Sequence, residues 1–344
     1  MRPLLHPSLV NGRFGDAALY MESLFERRAI LCDLGDISAL SARNIRRIDQ
    51  IFVSHAHIDH FIGFDRLLRT LVGREKEVRL YGPPGFIQRV YHKLQGYLWN
   101  LVDRSLCDLV FLVTEINSPC EMRSARLRLK SAFACEDIGH GLAENGVVFR
   151  GPAYHVATAM LEHRTPCLAY AIEEGQHVNI WKNRLDALNV PVGAWLCELK
   201  RAVIENRPDD HVIHIGGLSG GRAVTAMTLA QLRQVLSVTR GQKVAYITDA
   251  ADTPANREAI ICLARDADIL FIEANFCAAD TALAAERAHL TTRAAGEIAR
   301  AAGVKRVEPF HFSSRYEELE GQMLAEVMDA FSDGGRVPCS KLTS

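Results

Sequence analysis

Ser54-His55-Ala56-His57-Ile58-Asp59-His60 is the stretch on which the reading of this chain turns. His55, His57, Asp59 and His60 place three imidazoles and one carboxylate within six residues. The apolar run Ile51-Phe52-Val53 precedes them and Phe61-Ile62-Gly63-Phe64 follows. This pattern predicts a buried strand that ends in a loop crowded with ligand atoms, with a helix starting just beyond. Neutral imidazoles and carboxylates are the donors that zinc and manganese prefer, and catalytic zinc sites keep one position open for water. A single histidine is usually a hydrogen-bonded core or surface residue. Four ligand-type residues packed this closely are hard to account for that way.

Working outward, Ala29-Ile30-Leu31-Cys32 reads as a buried strand entering the turn Asp33-Leu34-Gly35. That turn lies suggestively close to the histidine cluster in sequence, though such strand-to-turn tripeptides are common and it receives no role. Helices are expected over about Phe61–Leu71 and Phe86–Leu101, with a strand at Val78–Tyr81 between them. From Leu109 to Phe133 apolar and polar residues alternate, as in half-buried antiparallel strands. Residues 134–153 are rich in glycine and charge and read as loop and turn. Cys167–Glu174 and Val212–Ile215 are strand-like, and the intervening 175–211 is polar and irregular with a short helix near Trp195–Ile204. Val244–Ile247 and Ile269–Ile272 are apolar runs of strand length, each leading to a carboxylate, Asp249 and Glu273. Helices are predicted over about Asn256–Arg265, Ala284–Ala302 and Tyr316–Phe331.

No internal repeat or charge block interrupts the 344 residues, so the expectation is one domain over 1–344, with an insertion or reduced arm at about 175–211. Strands and helices mix without a strict βαβ rhythm, which favours a layered α/β sandwich over a doubly wound sheet. An apolar content of 48% gives ample core, and the net charge of −1 exerts no global pull on nucleic acid or anionic membrane. A polyanion substrate then requires a local basic patch. The nine cysteines form no Cys-x-x-Cys pair, and their odd number fits reduced thiols. The opening residues carry no apolar signal region and no run reaches membrane-spanning length. A cytoplasmic protein without membrane contact is expected.

Four further stretches fall into line behind the first. They are Leu161-Glu162-His163-Arg164-Thr165-Pro166, Tyr246-Ile247-Thr248-Asp249, Ala288-His289-Leu290-Thr291-Thr292 and Phe310-His311-Phe312-Ser313-Ser314-Arg315-Tyr316. In this order and spacing the chain resembles the metallo-β-lactamase superfamily, and within it the ribonuclease Z family of tRNA 3′-processing endonucleases. The His-x-His-x-Asp-His loop belongs to the whole superfamily. The His-Phe-Ser-Ser-Arg-Tyr stretch and the histidine followed by Thr-Thr are more particular to ribonuclease Z. The resemblance covers roughly residues 29–85 and 160–317.

It implies a four-layer αββα sandwich with two zinc ions, manganese being the alternative, at one end of the sheets. His55, His57 and His163 are implied on one metal, Asp59, His60 and His311 on the other, and Asp249 between them. Asp59, Glu273 and His289 are the implied catalytic residues, with His289 placed to protonate a departing oxygen and Glu273 to orient it. His155 remains a competing ligand to His163 on sequence alone. The implied substrate is precursor tRNA, in a homodimer whose arm serves the other subunit. The arm here is short and mixed in charge, with Lys200 and Arg201 beside Glu198, Glu205, Asp209 and Asp210. A small phosphodiester such as a cyclic nucleotide is therefore the alternative substrate. Ester or lactone hydrolysis and a non-catalytic metal-binding role stand further back.

Overall fold

The computed structural model describes residues 3–23, 27–102, 105–118, 121–216 and 225–332. The first sheet has eight strands hydrogen-bonded in chain order. They are β1 (Leu5–Leu9), β2 (Leu19–Ser23), β3 (Ala29–Cys32), β4 (Ile48–Phe52), β5 (Lys76–Gly82), β6 (Leu109–Ile116), β7 (Glu121–Arg128) and β8 (Cys135–Leu142). The chain continues through β9 (Val147–Arg150), β10 (Tyr154–Glu162) and β11 (Pro166–Glu174). Four short strands follow: β12 (His177–Ile180), β13 (Val212–Ile215), β14 (Thr225–Thr228) and β15 (Leu236–Thr239). Then come β16 (Lys243–Ile247), β17 (Ile269–Glu273) and β18 (Val307–Phe310). The second large sheet runs β18-β17-β16-β11-β10-β9, with β16, β17 and β18 parallel.

The apolar strand runs are continuous where both faces of the sheet are covered. Side chains alternate across a strand, so Ala29 and Leu31 of β3 enter a core beneath helices while Ile30 and Cys32 enter the core between the sheets. The first of those cores packs under α1 (Ala42–Arg47), α3 (Phe64–Leu71) and α4 (Phe86–Gln95); the four-residue α2 (Ile58–Phe61) precedes α3. On the other sheet, Val244 and Tyr246 face inward, whereas Ala245 and Ile247 pack under α8 (Pro254–Ala264), α10 (Thr292–Ala301) and α11 (Glu320–Ser332). Helix, sheet, sheet, helix is the expected four-layer αββα order.

Three expectations are corrected. Residues 134–153 hold β8 and β9 instead of loop, and β8 escaped the pattern because nearly every side chain on this edge strand is exposed. The helix expected over Phe86–Leu101 stops at Gln95, before Gly96. The helix expected over Ala284–Ala302 is two, α9 (Thr281–Arg287) and α10. It breaks where Ala288 takes a left-handed φ of 59° and Thr291 caps the next helix through the Ala294 amide.

By internal contacts the chain groups into two compact units, residues 1–173 with 242–344, and Glu174–Gly241. The second unit contains α5 (Lys182–Ala187), α6 (Trp195–Ile204) and α7 (Leu229–Arg233), with β12 paired to β15 and β13 to β14. Trp195, Leu199, Ala202 and Val203 form one stripe of α6 and enter a core with Leu185, Ile213 and Leu229. The insertion expected at about 175–211 lies within this unit. It extends to Gly241 because β12 and β13 find their partners beyond residue 224. Among the described residues no helix is long and apolar enough to cross a membrane.

Candidate metal centre

Every residue singled out as a ligand lies just past the end of a strand on the same side of the sandwich. β4 delivers residues 54–60, β10 delivers His163, β16 delivers Asp249, β17 ends at Glu273, and β18 delivers His311. The Leu168 amide reaches the Ser54 carbonyl at 2.9 Å and the Tyr170 hydroxyl donates to the Val53 carbonyl at 2.7 Å, which joins the two sheets here. Two glycines let the loop 54–60 lie against the turn after β3. A Cβ on Gly63 would stand 2.1 Å from the Gly35 carbonyl oxygen, and one on Gly35 would stand 2.5 Å from that of Asp59.

The side chains form three overlapping groups whose ligand atoms lie within 4.8 Å of one another. They are His55, His57, His163 and Asp249; Asp59, His60 and His311; and Asp249, Glu273, His289 and His311. Asp249 is the hinge of the arrangement. Its Oδ2 stands 3.4 Å from Nε2 of His55, His60 and His163, and its Oδ1 stands 2.9 Å from Nδ1 of His311. Nε2 of His55 and Nδ1 of His57 approach to 2.8 Å. Asp59 Oδ2 lies 3.4 Å from Nε2 of both His60 and His311. His155 belongs to none of these groups; it sits on β10 with Nε2 3.9 Å from Glu173. Asp249 and His311 both adopt positive φ, 28° and 56°, a strain that non-glycine residues keep where the surroundings fix it.

The groups behind the ligands decide what these atoms can do. Asp33, to which the sequence reading gave no role, is fully buried. Its carboxylate accepts from the Ser54 amide (2.6 Å), the Ser54 hydroxyl (2.8 Å), the Tyr246 hydroxyl (2.8 Å) and His60 Nδ1 (2.9 Å). With its Nδ1 proton given to Asp33, His60 turns a buried Nε2 without hydrogen-bond partner towards Asp59 and Asp249. A lone pair facing two carboxylates is repulsive unless a proton or a metal cation lies between them. His163 is set the same way, its Nδ1 2.7 Å from the Ala288 carbonyl and its Nε2 facing Asp249. A carboxylate or carbonyl behind each ligating imidazole is the usual support of a metal site.

The charges point the same way. Burial, reinforced by His60 and only partly opposed by Asp249, leaves the His55 imidazole neutral, its pKa pushed down to about 2. Burial and the neighbouring His163 lower His57 as well. Burial opposes charge on His60 and His311, yet Asp249 overrides it and lifts both well above the ordinary value. Burial also opposes the Asp59 and Asp249 carboxylates, and the facing imidazoles still hold them far down. The buried carboxylates therefore demand positive charge, which divalent cations held by these donors would satisfy.

Glu273 and His289 stand beside this cluster. Glu273 is fully buried; its Oε1 accepts from the amides of Ala250 (2.6 Å) and Leu290 (3.2 Å), and its Oε2 lies 2.8 Å from His289 Nδ1. His289 sits in the break between α9 and α10, its amide bonded to the Ala284 carbonyl at 3.0 Å. Burial works against a charged His289, but Glu273 raises its pKa. Tyr316 is buried against Phe276 and bonds Asp280, so it anchors the segment after His311.

Residues 36–238 and 232–312 match the family described as Beta-lactamase superfamily domain. The chain belongs to the beta-lactamase superfamily. Within the superfamily, it is 28% identical over 310 residues to a Ribonuclease Z of Deinococcus radiodurans, covering 89% of both chains. To a Ribonuclease Z of Limosilactobacillus reuteri it is 27% identical over 321 residues, covering 90% of this chain and 86% of the relative. Two solved structures share the fold. Human tRNase Z, short form, superposes with a TM-score of 0.50 at 17% identity, over 91% of this chain and 92% of that one. The metallo-beta-lactamase fold protein YhfI from Bacillus subtilis gives 0.52 at 16%, over 94% and 92%. The chain is a metal-dependent hydrolase of this superfamily, similar to ribonuclease Z.

Proposed function

We propose that this chain is a dinuclear zinc phosphodiesterase that acts as an endonuclease on the 3′ ends of precursor tRNA. The observation that carries the reading is Asp249, whose two oxygens face both histidine groups while the Glu273–His289 pair stands alongside. The ribonuclease Z relatives supply the substrate class. His55, His57 and His163 would hold one cation, Asp59, His60 and His311 the other, with Asp249 shared. Divalent cations held there supply Lewis-acid activation of water and neutralise charge on the phosphoryl oxygens.

The chain's own residues do the rest. Asp33 and the Ala288 carbonyl fix the tautomers of His60 and His163, so that their Nε2 lone pairs face inward. Glu273 holds the Nδ1 proton of His289 and raises its basicity, which leaves Nε2–H to donate to the leaving oxygen. Glu273 is itself fixed by two backbone amides, so the pair keeps its orientation as the proton moves.

A small phosphodiester is the second reading, favoured by the unit Glu174–Gly241. Arg233 there is tied to Asp209 at 2.7 Å and Arg207 to Glu205 at 2.8 Å, which spends on internal pairs charge that a tRNA grip needs. Cleavage of a 3′-extended precursor tRNA, beside bis(p-nitrophenyl) phosphate, with His289→Ala as control, separates the two. Cutting just past the discriminator base by the wild type and slow cutting by the variant support the endonuclease. Turnover of the small diester alone overturns it.

A further inference from the structure

The helix layer over the first sheet carries a basic face that the catalytic machinery does not use. Helices α1 and α3 pack on one another and bury Ile45, Leu67, Leu68 and Leu71, so Arg43 and Arg46 on one helix and Arg66 and Arg69 on the other lie on exposed faces. Arg74 follows in the turn after α3 and shares a surface cleft with Arg46 and Lys76. Among the described residues Arg43, Arg46, Arg69 and Arg74 take part in no ion pair; Arg74 only donates Nε–H to the Thr70 carbonyl at 3.3 Å. Exposed arginines elsewhere on the same sheet are matched. Arg79 pairs with Glu77 at 3.1 Å, Arg123 with Asp137 at 2.8 Å and Arg126 with Glu136 at 3.4 Å. Of the acids around the face, Glu75 lines the cleft and accepts the Asp108 amide at 2.9 Å, Asp65 pairs with Lys93 at 3.2 Å, and Asp36 and Asp49 lie towards Arg66 and Lys76.

Unpaired cations gathered on one face of a chain with net charge −1 are a local exception that calls for an anionic partner. The face runs from the helix that leaves the centre to the starts of β4 and β5, where Arg46 and Lys76 stand. Phe64 opens α3 only four residues after His60, and a helix of this length leads away from it by roughly 12 Å at about 1.5 Å per residue. Guanidinium groups fit phosphate oxygens two at a time, and a row of them follows a sugar-phosphate backbone without reading its bases.

We propose that this arginine face holds the phosphate backbone of an RNA substrate outside the cleavage site. The proposal rests on the nuclease reading above and gives the chain a grip that does not depend on the unit Glu174–Gly241. The test is binding of a fluorescein-labelled, 3′-extended RNA hairpin to zinc-loaded protein across a salt series. The wild type is compared with Arg43→Gln/Arg46→Gln/Arg69→Gln/Arg74→Gln and with the matching four-lysine variant. Each lost phosphate contact flattens the plot of log affinity against log salt by about 0.7–0.9, so the glutamine variant is expected to lose up to about 3.6 in slope and on the order of tenfold or more in affinity. The lysine variant keeps most of the slope, and hydrolysis of bis(p-nitrophenyl) phosphate stays unchanged in both.

Equal slopes and affinities for wild type and glutamine variant, with RNA still bound and cut, overturn this proposal and leave the nuclease reading standing. Loss of small-diester turnover in the glutamine variant overturns it too, because the substitutions then act through the centre. A wild type that binds no RNA sinks both readings. In that case binding to vesicles of phosphatidylserine and phosphatidylcholine, abolished in the glutamine variant, reassigns the face to a membrane surface.

Discussion

Asp33 accepts the Nδ1 proton of His60 at 2.9 Å, and the same carboxylate oxygen takes the Tyr246 hydroxyl from the opposite sheet at 2.8 Å. One buried acid thus orients a proposed metal ligand and joins the two sheets. Asp33→Asn keeps the shape but offers His60 a weaker acceptor. Metal affinity is expected to fall roughly 10–100-fold, read by competition with a chromophoric chelator, while circular dichroism stays that of the wild type. Unchanged affinity would count against this orienting role.

Removing cations leaves Asp249 and Asp59 facing neutral imidazole lone pairs or forces protons onto His60 and His311. Dialysis against a chelator is therefore expected to lower Tm, and two equivalents of zinc per chain, counted by elemental analysis, restore it. Asp249→Ala should lose most of both the metal and the recovery. Full stability after complete stripping would show that the cluster does not need cations.

His289→Ala and Glu273→Gln test the proton-handling pair apart from the metals. Loss of a positioned acid or base slows turnover by about 10²–10⁴-fold, with metal content unchanged because neither substitution removes one of the seven assigned ligands. A parallel fall in bound zinc would instead place His289 among the ligands.

The pH profile gives an independent check on the same pair. Glu273 raises the His289 pKa, so an imidazolium acting as acid persists to higher pH and activity declines as pH rises through that value. In Glu273→Gln the raising charge is gone, and the alkaline limb is expected to move to lower pH. A limb that stays in place excludes His289 as the group it reports.

The core between the sheets supplies a stability prediction. Phe52 is fully buried and stacks on Tyr81 at 4.8 Å, 12° from parallel, with Tyr170 at 5.3 Å. Phe52→Ala is expected to cost about 3–5 kcal/mol by leaving a cavity, measured by denaturant unfolding. A loss below about 1 kcal/mol would mean that the sheets collapse onto the gap.

How much of this was legible in the sequence depended on range. The loop 54–60 announced itself because its ligand-type residues are neighbours in the chain, and the strands leading to Asp249 and Glu273 because both their faces are buried. β8 could not be read, since nothing apolar alternates along an edge strand exposed on both sides. The break that carries His289 was hidden by alanines on either side, because the left-handed turn at Ala288 leaves no mark in helix propensity. Asp33 stood in a suggestive but common strand-to-turn tripeptide that assigned it no role. Its importance comes from Ser54, His60 and Tyr246, which reach it from 21, 27 and 213 positions away.

The Tyr246–Asp33–His60 chain has a thermodynamic corollary. Cation release and parting of the sheets at this end draw on the same hydrogen bonds, so each makes the other easier by the same factor. Chelation should then loosen amide-exchange protection in β4 and β16 together while sparing β7, and a destabilised sandwich should leak its cations before it unfolds. In this chain, cation occupancy of the proposed centre would then double as a gauge of whether the two halves of the sandwich are latched.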